Sequence, residues 1–472
     1  MADPELLQPT TRPAGSTADR PLLTRLNRHG FRLIMIADAL ALLLVMVGSM
    51  VLRFGGFDWP TYDAVTYIAS FLLVLAVFVA ALYFGGLYER DPRLGAPPAL
   101  PRVGRQTLAA GGLVALLRLA VPGTAQLFGL QTGLALALPI PNLIALIVVG
   151  ALAVAGIRWL SHQLRTRREG PPRVVLAGAD DDVAVARDHL AGDADRVRVV
   201  AEVTDPTALV ATTQDHDATD VVVVSGDWVD ELYPTQLQTF HHAGIPVLLR
   251  VGARETLYGL ERVREVGGLP LVLLREQTIP RSRARFKRLL DLVILLVAAP
   301  VALPVIGAVT LYQLVVAGRP LLYWQPRVGA GGRVFRMVKF RTMVVDAEAD
   351  GGGARLAAAE DPRILPACRW VRATRMDEVP QLWNVLRGEM SLVGPRPERP
   401  ELTAAFERRI PGYARRHELP PGLTGLAQIH GRYHTDAAYK LGYDLQYLVN
   451  WSPLLDLEIL VRTVWVVLAR RI

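Results

Sequence analysis

Hydrophobic and polar positions change their period several times along the 472-residue chain. After a polar, proline-bearing stretch (1–30), apolar runs follow at about 31–52, 64–86, 107–129 and 133–157. Each is close to the roughly 20 residues a helix needs to cross a bilayer. The pattern therefore predicts a membrane α-helical bundle of four spans over 31–160, preceded by a disordered cytoplasmic tail. That tail has no apolar core followed by a small-residue cleavage site, so a removable signal peptide is not expected. From 171 to 275 the runs become short and β-branched: RVVLAG, VRVVAEV, DVVVVS and IPVLLRV, separated by polar segments of helix length. Such alternation predicts a small α/β domain with a parallel sheet. A fifth long apolar run, 289–318, opens a last region over 281–472.

Composition narrows the class. With 51% hydrophobic and 20% charged residues the chain does not fit a soluble enzyme, and its one cysteine, Cys368, excludes a disulfide framework or a cysteine-based zinc site. The net charge of +8 points to anionic lipid or phosphate and not to nucleic acid, because the arginines gather beside the apolar runs. Arg12, Arg20, Arg25, Arg28 and Arg32 precede the first run, Arg90, Arg93, Arg102 and Arg105 lie between the second and third, and Arg165, Arg167 and Arg168 follow the fourth. All three segments are expected in the cytoplasm, with Arg53 dissenting. Arg118 falls inside the third run, where packing between helices or snorkelling is the preferred reading over transport.

The α/β region is Rossmann-like in its pattern but degenerate as a nucleotide site. Gly178 is followed by Ala179 and then Asp180, Asp181 and Asp182, which repel phosphate and suit a helix cap and dipole partner. In 289–318, Pro300 and Pro304 interrupt the helix, and basic residues flank both ends: Arg281, Arg283, Arg285, Lys287 and Arg288 before, Arg319, Arg327 and Arg333 after. Proline bends a helix, and two-sided basic flanks argue against a crossing, so a re-entrant helix broken at Pro304 and Pro300 is predicted.

Candidate chemistry is concentrated in 323–432. Arg327, Arg333, Lys339 and Arg341 stand near glycine turns, a pattern suited to phosphate recognition. Asp377 and Glu378 are adjacent, and Arg396 is held between Pro395 and Pro397. One carboxylate of such a pair can attack phosphorus while the other holds a hard cation. Equally, Asp377 can cap a helix before Pro380, with Glu378 as a first-turn charge; spacing alone does not choose. His417, His430 and His434 are read as surface or hydrogen-bonding residues. The last segment, SPLLDLEILVRTVWVVLARRI, reads as an interfacial helix.

Residues 286–468 closely resemble the bacterial sugar transferase family, the monotopic polyprenyl-phosphate hexose-1-phosphate transferases. The resemblance is carried by KRLLD (287–291), QPRVGAGGRVFRMVKFRTM, DPRI (361–364), RATRMDEVPQLWNVLRGEMSLVGPRP (372–397), PGLTGLAQIHGR (421–432), YDLQYLVNWSPLLDLEI and Thr463, in that order. Met376 and Val379 stand where leucines usually flank the acidic pair, and the loop before DPRI is short and glycine-rich. The whole layout resembles large members that initiate exopolysaccharide or O-antigen assembly. This implies a monotopic α+β phosphoglycosyl transferase domain with its re-entrant helix, on the cytoplasmic face of a bacterial inner membrane. It implies that Asp377 attacks the sugar-linked phosphate of a UDP-sugar, expels UMP and forms a covalent phosphosugar aspartate, which polyprenyl phosphate then takes up. Glu378 matches the Mg2+ ligand, and Arg372 and Arg396 match phosphate-contacting positions. Lys339, Arg341 and Arg327 are added to these, and Gln428, Arg432 and Asp444 are candidates for the nucleotide or acceptor side. UDP-sugar, polyprenyl phosphate and membrane lipids are the implied partners, and a homo-oligomer is admitted. The alternative is a non-catalytic membrane scaffold of a polysaccharide machine.

Overall fold

Four helices occupy the N-terminal apolar runs: Arg32–Phe54 (α1), Ala64–Phe84 (α2), Ala99–Leu127 (α3) and Ile140–Glu169 (α4). The computed structural model describes residues 32–89, 94, 99–127, 137–192, 197–252, 263–274, 279–345, 347, 361–430 and 436–468. The expected tail, Arg432 and His434 lie outside them. Helices α1, α2 and α4 are long and apolar enough to cross a membrane, as is Arg281–Val316 further on, and the chain is a membrane protein. Helix α3 starts at Ala99, not near 107, and so takes in Arg102 and Arg105.

The chain divides into two units, Met1–Asp91 with Ala96–Gly170, and Pro92–Gly95 with Pro171–Ile472. In the first, Leu42, Met46, Phe71, Val74, Phe78, Leu146 and Val154 form the apolar interior. Asp63, in the acidic loop after α1, caps α2 by accepting from the Val65 and Thr66 amides at 3.1 and 3.2 Å. Arg118 donates to the Leu138 carbonyl at 2.7 Å, in keeping with packing between helices. An ion pair that the sequence did not announce joins α1 to α4: Arg158 reaches both oxygens of buried Asp38, at 3.1 and 2.6 Å. A bidentate partner is what makes a charge tolerable in such surroundings.

The second unit begins with a six-stranded sheet. Its strands are Arg173–Ala177 (β1), Arg198–Val203 (β2), Asp220–Val223 (β3), Val247–Arg250 (β4), Arg264–Val266 (β5) and Leu269–Leu274 (β6), in the order β2-β1-β3-β4-β6-β5. The four expected strands are parallel, but β6 pairs antiparallel to β4, and β5 antiparallel to β6, so the sheet is mixed. The unread hairpin turns at Gly267 and Gly268, both at positive φ, which glycine adopts without steric cost. Helix Asp180–Ala191 (α5) follows β1, but its N-cap is Ala179 and no aspartate caps it. Asp182 instead accepts from Ser225 at 2.7 Å and pairs with Arg250 at 3.0 Å.

Helix Arg281–Val316 (α6) runs unbroken in secondary structure through Pro300 and Pro304. After it come the antiparallel hairpin Leu322–Val328 (β7) and Val334–Phe340 (β8), the helix Leu382–Arg387 (α7), and the parallel pair Ser391–Val393 (β9) and Gly422–Thr424 (β10). Helices Ala437–Asn450 (α8) and Pro453–Leu468 (α9) close the fold. Met337, Val385, Leu392, Tyr447, Leu448 and Ile459 are core here. A buried polar network stitches the pieces together. Lys287 donates to Asp456 at 2.8 Å, Asp291 accepts from the Ser391 hydroxyl at 2.7 Å, and the Tyr447 hydroxyl donates to Asp456 at 2.7 Å. The basic and acidic ends of KRLLD thus tie the foot of α6 to β9 and α9. Thr463 meets Thr424 at 2.6 Å, joining α9 to β10.

Candidate active site

Both carboxylates lie on the tight 3-10 turn Met376–Gln381. Arg375, just before it, is left-handed at φ 57°, a geometry costing a non-glycine residue about 1–2 kcal/mol. The turn buries its polar side chains: Asp377 and Glu378 are each 8% exposed and Gln381 3%. Asp377 therefore does not act as a solvent-exposed helix cap; its Oδ1 is buried and has no hydrogen-bond partner among the described residues.

Glu378 is surrounded by cations. Lys339, projecting from β8, donates to its Oε1 at 2.8 Å, Arg396 lies 3.5 Å from the same oxygen and Arg375 3.6 Å. Burial opposes the charge, but Lys339, Arg396 and Arg375 together outweigh it and hold the carboxyl near about 2. Asp377 behaves oppositely. Burial, and then the neighbouring Glu378 charge, push it up to about 6 against the pull of Lys339, Arg372 and Arg375. Adjacent carboxylates are thus driven apart, the arrangement expected where two acids have different tasks. Burial, and not the nearby cations, dominates Asp377.

The loop bearing Arg396 is fixed by close backbone approach. A Cβ on Gly422 would come within 2.1 Å of the Gly394 nitrogen, and one on Gly425 within 2.2 Å of the Gly394 carbonyl, so only glycine fits at either position. Arg396 then reaches Glu378 on one side and Gln428 Oε1, at 3.4 Å, on the other. Arg327, Met337, Lys339, Glu378, Gln381 and Arg396 line a small cleft.

Of the residues singled out from sequence, Asp377, Glu378, Lys339 and Arg396 come together, with Arg327 and Gln428 beside them. Arg327 donates to the Pro397 carbonyl at 3.0 Å, and burial, with Arg396 nearby, lowers it to about 10. Arg372 donates to the Thr342 hydroxyl at 3.3 Å, near enough to act on Asp377 through its charge. Arg341 is elsewhere: it donates to the carbonyls of Pro320, at 2.7 Å, and of Ala317 and Met343, securing the end of α6. Asp444 is spent on buried Arg416 at 2.8 Å. His417 is buried, not superficial, and burial lowers it to about 4; His430 stacks on Tyr443. Sequence reasoning missed Arg375, Gln381 and Arg416. The first two flank the acidic pair in the same motif, while nothing local distinguishes Arg416 from its neighbour Arg415.

Among the described residues no three His, Cys, Asp or Glu side chains converge, so these residues offer a divalent ion here at most two carboxylates. Mg2+ is commonly held in that way, with water and substrate phosphate completing its shell. The three cations all close on Glu378 Oε1, and Asp377 Oδ1 is unpartnered, so hard oxygen donors of the right kind are present.

A sequence model of the family described as bacterial sugar transferase matches residues 282–470. The chain is 39% identical over 183 residues to a Caulobacter vibrioides protein named UDP-glucose:undecaprenyl-phosphate glucose-1-phosphate transferase, a match covering 38% of this chain and 68% of that protein. It is 34% identical over 264 residues to the UDP-N-acetylgalactosamine-undecaprenyl-phosphate N-acetylgalactosaminephosphotransferase of Aeromonas hydrophila, covering 55% and 59%. A Klebsiella pneumoniae protein with the same name as the Caulobacter one is 37% identical over 213 residues, covering 43% and 44%. The matched stretch is therefore about half the length of the last two relatives.

Proposed function

The chain belongs to the bacterial sugar transferase family, and from that premise we propose that it transfers a hexose 1-phosphate from a UDP-sugar to polyprenyl phosphate. The observation that carries the reading is the divided carboxylate pair, Glu378 neutralised by three cations and Asp377 with an unpartnered oxygen. In the proposed first step an Asp377 oxygen bonds to the sugar-linked phosphorus, the bond to the bridging oxygen breaks, and UMP leaves with that oxygen. In the second, an oxygen of polyprenyl phosphate bonds to the same phosphorus and the aspartyl–phosphorus bond breaks, restoring the carboxylate. One phosphoanhydride replaces another, so the protein's work is orientation and charge neutralisation. Lys339, Arg396 and Arg327 line the cleft as phosphate-binding groups, and Arg372 adds positive charge near Asp377. Mg2+, held through Glu378 with Asp377 adjacent, would neutralise charge on the departing phosphate.

We read 171–275 as a Rossmann-like domain with a degenerate nucleotide site, supported by the bonds that Asp182 makes to Ser225 and Arg250 at the start of α5. Helix α6 is read as re-entrant. Near its start Arg288 donates to the Leu386 carbonyl at 2.7 Å; near its end the Tyr312 hydroxyl donates to the Ala367 carbonyl at 2.8 Å. Both ends grip the same α+β body, while Leu296, Val297, Val301 and Leu303 between them are more than 60% exposed. On α9, Leu454, Leu457, Val461, Val464 and Trp465 form an exposed stripe for the membrane interface. The arginine distribution favours the cytoplasmic face of the inner membrane.

The test is incubation of purified protein with Mg2+, a panel of UDP-sugars and polyprenyl phosphate, scoring UMP. Labelled phosphosugar is expected on the protein before lipid is added, and absent from Asp377→Asn. Full turnover by that variant would remove the nucleophile, and no UMP from any sugar would leave the non-catalytic scaffold.

A further inference from the structure

The cleft holds more hydrogen-bond donors than its own acceptors can use. Nε2 of Gln381 and Nε of Arg327, both in its lining, are buried and lack a partner among the described residues. Burying an N–H without an acceptor is costly, so such groups call for an explanation where they recur around one cavity. Gln381 is the better placed of the two. It lies three residues after Glu378 on the same turn, lines the cleft beside Lys339, Arg327 and Arg396, and is 3% exposed. Bulk water therefore does not satisfy its amide.

The charge of the lining identifies what would. Three cations face one carboxylate, Glu378, and the remaining side chains apart from Gln381 are apolar or glycine. A ligand suited to this lining brings negative charge and acceptor oxygens together, which a sugar hydroxyl or a uracil carbonyl does not. Phosphoryl oxygens do. A neutral amide at position 381 also suits the neighbourhood. Another cation would attract Asp377 and restrain it, and another acid would repel both the carboxylate pair and the substrate.

We infer that Gln381 is a substrate-binding residue, its side-chain amide donating to a phosphoryl oxygen of the diphosphate next to Asp377. The inference rests on the nucleotide-sugar reading above.

The test uses the full chain in detergent with Mg2+, and measures binding of UDP, inorganic pyrophosphate and uridine by calorimetry. Gln381→Met keeps the length of the side chain and removes the donor; Gln381→Leu likewise removes the donor without adding charge and serves if the methionine variant does not fold. Either is expected to weaken UDP and pyrophosphate about tenfold or more, the loss typical of one hydrogen bond to a charged group, and to leave uridine unchanged. UDP affinity equal to wild type overturns the inference. So does a loss of UDP binding with pyrophosphate untouched, which would assign Gln381 to the ribose or base. If the wild-type protein binds neither UDP nor pyrophosphate, the nucleotide-sugar reading fails first and the inference falls with it.

Discussion

Arg416 and Asp444 form an ion pair at 2.8 Å in which neither side chain is more than 4% exposed. The same guanidinium donates to the Arg396 carbonyl at 3.0 Å and to the Tyr413 hydroxyl. Arg416 is thus a brace behind the proline-flanked residue that faces Glu378. Arg416→Met strands a buried carboxylate and is expected to cost about 3–5 kcal/mol of stability. A double variant, Arg416→Met with Asp444→Leu, should recover much of that loss in a urea titration. Sugar-transfer activity should stay low, because the Arg396 carbonyl has still lost its donor. Recovery of activity along with stability would make the pair purely structural.

Asp377 should trade stability for reactivity. Burial, then Glu378, raise it from 3.8 to about 6, so the native state holds the proton more tightly than the unfolded chain. The contribution is complete below about pH 4 and is lost as pH rises through 6. At pH 7 the charged carboxylate then destabilises the fold by up to about 3 kcal/mol, a two-unit shift at 1.36 kcal/mol each. Asp377→Asn removes the burden. It is expected to melt higher than wild type at pH 7, to match it near pH 4, and to lose at least about a thousandfold in turnover. A lower melting temperature at pH 7 would contradict the burial argument.

Glu378→Gln tests the coupling between the two acids. The substitution removes a negative neighbour that raises Asp377, so the acid limb of adduct formation, expected near pH 6 in wild type, should move to lower pH. Lys339, Arg396 and Arg375 meanwhile lose their shared counter-charge. Turnover should fall by about a hundredfold and the Mg2+ titration should shift to higher concentration. An unchanged acid limb would mean that the carboxylates do not sense each other.

Periodicity was enough to find the apolar helices and the four parallel strands, because each buries a continuous face whose spacing is written locally. It missed β5 and β6, where Pro270 and the Gly267–Gly268 turn disguise a short antiparallel hairpin. The motif order also brought Asp377, Glu378, Lys339 and Arg396 under suspicion together. What it could not assign were side chains whose partners are remote in sequence. Arg341 looks like a phosphate ligand beside Lys339, yet it lies just past the end of β8 and bonds carbonyls at the end of α6, whereas Lys339, still within the strand, reaches Glu378. Asp38 and Arg158, 120 residues apart, are paired only by helix packing. Asp444 reads as a free acid until Arg416 is folded against it.

Topology gives the last prediction. Arg281 and Arg333 are both exposed and lie on either side of the exposed middle of α6. Arg288 and Tyr312, near the two ends of the helix, are bonded to carbonyls at 386 and 367 of one body. A helix crossing the bilayer once puts its ends in different compartments, at a separation of about 30 Å of hydrocarbon. Both attachments to one compact body then could not persist. Single cysteines at 281 and 333, in a Cys368→Ala background, are therefore expected to resist an impermeant thiol reagent applied to intact cells and to react together once the membrane is opened. Labelling of position 333 alone from outside would mean that α6 crosses, and it would put Asp377 and Glu378 out of reach of a cytosolic UDP-sugar.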